Sequence, residues 1–186
     1  MNKINYFSIL GFAVLYVVTV FATAFLGYLS PYAWVFFPAI AALLGAFSYY
    51  SAAVRWQKFG VGTLLAFILS AFLLAVGECD LSEALLMLLA GVLSDVVRQL
   101  IGNKSLKGQS LAYPILSIGV IAWILPLWTR TEWYYQGAAE ELGIDYAKGL
   151  MTLASPWGLI AVVLATAIAG FVGIQFAAKV IQSRKR

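Results

Sequence analysis

The stretch "LSEALLMLLAGVLSDVVRQLI", residues 81–101, decides how the chain is threaded. It is apolar enough to cross a bilayer, yet Glu83, Asp95 and Arg98 interrupt its ends and only residues 84–94 are free of charge. Counted as a crossing, it gives six spans with both chain ends on one side. Discounted, it gives five, with the ends on opposite sides.

The rest of the chain sets the class. It has 186 residues, 63% hydrophobic and 11% charged, with a mean hydropathy of +0.92. A soluble domain carries about 25% charged and about 45–50% apolar residues, so this is an all-α integral membrane protein. The apolar blocks are 7–29, 34–54, 59–77, 81–101, 111–128 and 156–178. With about 20 residues per crossing, they fit a single six-helix transmembrane domain over residues 1–186. The runs are continuous and do not alternate with period two, which argues against a transmembrane barrel. The first block is longer than the about 7–15 apolar residues of a secretory leader, and "MNK" is a weak basic lead, so it reads as a retained helix.

Charge placement decides the fourth block. With six spans and the N-terminus inside, Lys3, Arg55, Lys58, Arg98, Lys104, Lys107, Lys179, Arg184, Lys185 and Arg186 face the cytoplasm. Only Arg130 and Lys148 remain outside, the bias that the positive-inside rule predicts. Seven of the eight acids (Glu78, Asp80, Glu83, Glu132, Glu140, Glu141 and Asp145) fall outside, and Asp95 alone lies inward. Five spans would put "SRKR" outside, so six spans with both termini cytoplasmic is the reading. The net charge of +4 is a topology signal and no nucleic-acid footprint.

Much chemistry is excluded. One cysteine, Cys79, and no histidine leave no internal disulfide and no His- or Cys-rich metal site. There is no Ser-His dyad and no HExxH motif, and Asp95 has no intramembrane partner for a paired-aspartate protease. "GNKS" at 102–105 lacks the spacing of a phosphate-binding loop, so the chain does not hydrolyse ATP. The expectation is no enzyme, no cofactor and no metal. The span centres are almost free of charge and show no internal repeat, so nothing positive marks an ion-coupled carrier.

Two features carry open readings. Asp95 and Arg98, three apart, share a helix face and form either an internal salt bridge or a partner-docking pair. The small residues Gly11/Ala13, Ala39/Ala42/Gly45/Ala46 and Gly170/Gly173 allow close helix approach, read as internal packing except on the first helix. On the outer side Tyr28, Tyr32 and Trp34 meet Glu78, Asp80, Trp128, Arg130, Glu132, Trp133, Tyr134 and Tyr135. These are either interfacial anchors or the aromatic wall of a small-molecule pocket. Leu142, Tyr146, Leu150 and Leu153 recur at helical spacing, which predicts an amphipathic outer helix over about 138–153, a pocket cap or a spacer.

The stretches "GVLSDVVRQLIGNKSLKGQSLAYPILSIG", "LPLWTRTEWYYQGAAEELGIDYAKGLMTLASPWGLI" and "FPAIAALLGAFSYY" resemble the Trep-Strep group of bacterial integral membrane proteins, in the right order over most of the chain. That group is regarded as substrate-binding S components of energy-coupling factor (ECF) transporters. The resemblance implies a six-helix bundle in the bacterial plasma membrane, an ABC-type importer subunit with an outward-facing site covered by the loops. It also implies partners, a transmembrane coupling (T) subunit and two cytoplasmic ATPases, and a vitamin-like substrate. Trp34, Trp133 and Tyr134 would stack on a ring, Arg130 would anchor a carboxylate or phosphate, Glu78 and Glu132 would accept from ring amines, and Trp128 would complete the wall. The first helix departs from the group's AxxxA docking pattern, leaving Gly11 and Ala13 as nearest candidates. The alternatives are a membrane scaffold subunit and an ion-coupled carrier.

Overall fold

A computed structural model describes residues 6–183; Lys3, Arg184, Lys185 and Arg186 lie outside the described residues. Among the described residues every regular element is helical. The order is α1 (Tyr6–Ala24) with a 3₁₀ extension (Phe25–Leu29), α2 (Pro31–Arg55), α3 (Val61–Ala75), α4 (Leu81–Ile101) and α5 (Leu106–Gly119). A second 3₁₀ segment (Val120–Ile124) leads to α6 (Pro126–Thr129), α7 (Thr131–Leu142), α8 (Ile144–Leu153) and α9 (Pro156–Ser183).

Four stretches are long and apolar enough to cross a membrane: Phe7–Leu29, Pro31–Arg55, Leu81–Ile101 and Pro156–Ser183. The fourth block of the sequence is therefore a full helix despite its charged ends. α3 is a shorter apolar helix. The block expected at 111–128 begins earlier and is not one uniform helix: α5 tightens into the 3₁₀ segment and restarts as α6 at Pro126. Proline has no N–H to continue the ladder, which is why the break falls there. The outer helix expected over 138–153 is also corrected. Gly143, at φ 92 and ψ 159, divides it into α7 and α8. That backbone region is essentially closed to residues with a Cβ.

Local sequence caps several of the helices. Ser30 accepts from the Ala33 amide at 3.1 Å ahead of Pro31, and Ser105 accepts from Gly108 at 2.9 Å; both are N-caps that satisfy an otherwise orphaned donor. α3 has no such residue, since Gly60 precedes it. Its cap comes from α4. Asp95 accepts from the Gly62 amide at 3.0 Å, the Thr63 amide at 2.8 Å and the Thr63 hydroxyl at 2.8 Å. Arg98, 3.7 Å from Asp95, donates to the carbonyls of Trp56 and Lys58. Both side chains are fully buried. The Asp95–Arg98 pair is thus an internal clamp between α4 and the α2–α3 connection, and it is closed to partners.

α2 is the central post, with 67% of its apolar window buried against 33% for α4 and 28% for α9. It packs on α1 and α9, while α4 packs on α3 and α5. A Cβ added to Gly173 would lie 2.8 Å from the Leu43 carbonyl, and one on Gly170 would lie 3.2 Å from Pro114. These glycines let α9 close on α2 and α5, as small residues do where apolar solvent offers no drive for helices to associate. The outward faces stay greasy: Leu85, Leu89 and Leu93 on α4 and Leu164, Ile168 and Phe171 on α9 are exposed.

Candidate functional site

At one end of the bundle, the end of α1, the start of α2 and the α3–α4 connection meet α7 and α8 around a cavity of about 500 Å³. Small-molecule sites span about 300–1,000 Å³. Trp123, buried in the second 3₁₀ segment, forms the inner wall. It stacks parallel to Phe21 at 6.0 Å and meets Phe37 and Trp34 edge-to-face at 5.2 and 5.9 Å, the offset and edge geometries that ring quadrupoles favour. Trp34 lies directly against Gly27, where any Cβ would overlap its ring.

Two hydrogen bonds fasten the roof. The Trp34 indole N–H donates to the Tyr134 hydroxyl of α7 at 2.5 Å. The Tyr146 hydroxyl of α8 donates to the Gly27 carbonyl at 2.6 Å. α8 also buries Ala147 and Leu150 and sets Gly149 against Pro31 of α2. Burial raises the Tyr134 hydroxyl above the usual phenol range and pushes Tyr146 up to about 12, so both stay protonated near neutrality.

The rim is acidic. Glu78, Asp80, Glu83 and Glu141 line it, with Arg130 as the single cation among the lining residues. Arg130 forms ion pairs with Asp80 at 2.7 Å and Glu83 at 2.8 Å, and its guanidinium covers the Trp133 ring at 5.0 Å. The Asp80 hydrogen bond, followed by the nearby Glu83 charge, raises the guanidinium further above its ordinary range. Glu83 also accepts from the Asp80 amide at 2.9 Å, closing the start of α4. Burial, then the carboxylates Glu83, Asp80 and Glu78, push the Cys79 thiol up to about 11. Among the described residues no group of three or more His, Cys, Asp or Glu side chains is placed to hold a metal ion.

The structure brings Trp34, Glu78, Arg130, Trp133 and Tyr134 together in this lining. Two sequence candidates stand elsewhere. The Trp128 indole donates to the Ser155 carbonyl at 3.0 Å and ties α6 to the start of α9. Glu132 accepts from Gln136 at 3.1 Å on the far face of α7. The lining positions 130, 133, 134, 137, 138, 141 and 142 follow helical spacing, which excludes 132. Both terminal nitrogens of Arg130, the sequence candidate for anchoring an anion, are paired with carboxylates in this arrangement. Sequence reasoning passed over Phe21, Trp123 and Glu141 as site residues. Phe21 and Trp123 were hidden inside apolar runs, and the spacing 134–138–141 was the available signal for Glu141. Of the docking candidates, Gly11 is exposed with open space around it, whereas Ala13 is fully buried and closed to a partner.

No curated protein and no solved structure matches the chain. Residues 6–183 match the model of the Trep_Strep family, described as a hypothetical bacterial integral membrane protein, and the chain belongs to that family of membrane-embedded proteins.

Proposed function

We propose that this protein is the substrate-binding S component of an ECF-type ABC importer, holding a small, vitamin-like organic nutrient in the cavity beneath α7 and α8. The observation that carries this reading is a roofed, aromatic-walled cavity of about 500 Å³ in an apolar bundle. The chain has no phosphate-binding loop, so inward delivery would fall to a transmembrane coupling subunit and two cytoplasmic ATPases. Gly11 on the exposed face of α1 is the remaining candidate contact with that coupling subunit.

The topology follows the same logic. α3 is the third crossing, and α5 with the second 3₁₀ segment and α6 is the fifth. Arg98 bonds to the carbonyls of Trp56 and Lys58, so the α2–α3 and α4–α5 connections, which carry Lys58 and Lys104, share one end with Arg55 at the close of α2. The cavity and its acids occupy the other end. By the positive-inside rule the cationic end is cytoplasmic and the cavity opens outward.

Two measurements test the reading. Affinity-tagged protein expressed in a host that carries a coupling module is expected to bring down an ATPase-bearing complex. Mass spectrometry of the denatured, purified protein is expected to reveal a stoichiometric small molecule. The absence of both an ATPase and a retained molecule would overturn the assignment.

A further inference from the structure

The charge at the cavity rim is lopsided, with Glu78, Asp80 and Glu141 exposed there. Four carboxylates and one guanidinium line it, and the guanidinium is shared by Asp80 and Glu83. Glu78 and Glu141 have no hydrogen-bond or ion-pair partner among the described residues. An anionic ligand would meet two unpaired carboxylates and no free cation. A cation would meet charge of the right sign beside several aromatic faces, the combination that recognises charged organic amines. A low-dielectric aromatic wall concentrates the field of such acids on whatever sits between them.

One polar group in the wall is also left over. Tyr134 accepts from Trp34, yet no acceptor among the described residues receives its own proton. Tyr134 is part of the cavity lining.

We infer that the cavity between Trp34, Trp123, Tyr134, Glu78 and Glu141 takes a small organic cation, with a planar ring carrying the positive charge. The inference rests on the cavity being the substrate site and adds the charge class of the substrate. It reverses the anion-binding role that Arg130 suggests from sequence.

The test uses three isosteric probes on the purified full-length protein: N-methylquinolinium (cation), quinoline (neutral near pH 7.5) and quinaldate (anion). Calorimetry measures affinity, and protection of Cys79, the chain's sole thiol and part of the cavity lining, against a neutral methanethiosulfonate reagent locates the site. N-methylquinolinium is expected to bind at least about tenfold more tightly than either isostere, a difference of about 1.4 kcal/mol. It is also expected to protect Cys79 and to lose its advantage in the Glu78→Gln/Glu141→Gln variant. Quinoline or quinaldate binding as tightly while protecting Cys79 overturns the cation and leaves the cavity as the binding site. A cation that binds without protecting Cys79 overturns both, as does the failure of all three probes to bind.

Discussion

Replacing Asp95 by alanine removes the only side chain that caps α3 among the described residues and leaves Arg98 without its carboxylate. Asp95 accepts three hydrogen bonds, at 3.0, 2.8 and 2.8 Å, and its carboxylate and the Arg98 guanidinium are fully buried. Hydrogen bonds to a charged group contribute about 1.5–3 kcal/mol each, but the freed Gly62 and Thr63 donors recover part of this through water. Removing one partner of a buried ion pair costs about 3–5 kcal/mol, and that range sets the expectation for Asp95→Ala. Arg98→Met should cost less, about 1–3 kcal/mol, because Asp95 keeps its three donors on α3. The double variant removes the stranded charge and leaves chiefly the lost cap, worth about 0.5–2 kcal/mol. It should therefore be more stable than Asp95→Ala alone. Equilibrium unfolding in mixed micelles, followed by tryptophan fluorescence at unchanged slope, measures all three. An Asp95→Ala protein within about 1 kcal/mol of wild type would refute the reasoning, since a buried unpaired guanidinium cannot be that cheap. So would strict additivity in the double variant, because residues in one network couple by about 0.5–3 kcal/mol.

Gly27→Ala places a methyl in the Trp34 ring, so the wall must shift; overpacking of this kind costs about 1–3 kcal/mol. Small-molecule retention should fall more than overall stability, with mass spectrometry and unfolding read on the same sample. Gly143→Ala forces a Cβ into a backbone region that costs about 1–3 kcal/mol, and amide exchange should accelerate in α7 and α8 while the bundle helices keep wild-type protection. Tyr146→Phe deletes the bond to Gly27 and should speed exchange in α8 alone, by the about 0.5–1.5 kcal/mol of one hydrogen bond. Cys79 supplies a pH prediction: a thiol pushed up from 9.0 to about 11 holds less thiolate at any pH below that value. At pH 8 its alkylation should run about tenfold slower than that of a free thiol, the smaller thiolate fraction being partly offset by the greater nucleophilicity of a more basic thiolate, and keep rising towards pH 11. A plateau already at pH 9 would contradict the acidic, part-buried setting.

Composition and hydropathy alone set the solvent in which this chain folds. Continuous apolar runs leave no alternative to helices whose backbone groups are satisfied within each segment. Local sequence also set where α2 and α5 begin, because Ser30 and Ser105 cap their own first turns, and it marked out residues 81–101 in full. The aromatic-acidic stretch after Trp128 was legible as special, and its helical spacing already separates Glu132 from Trp133 and Tyr134. The remainder depended on groups distant in the chain. Asp95 caps a helix that begins 34 residues earlier at Val61, and Tyr134 meets Trp34 across 100 residues. Trp123 reads as one more apolar residue until Phe21, Trp34 and Phe37 surround it. Arg130 shows why the site's charge was beyond local reading. A lone outer cation looks like a hook for anions, and only the folded arrangement sets Asp80 and Glu83 against its two terminal nitrogens. Helix formation is a local matter of propensity, capping and solvent, whereas electrostatic character belongs to the sum of charges that the tertiary fold brings within a few ångströms.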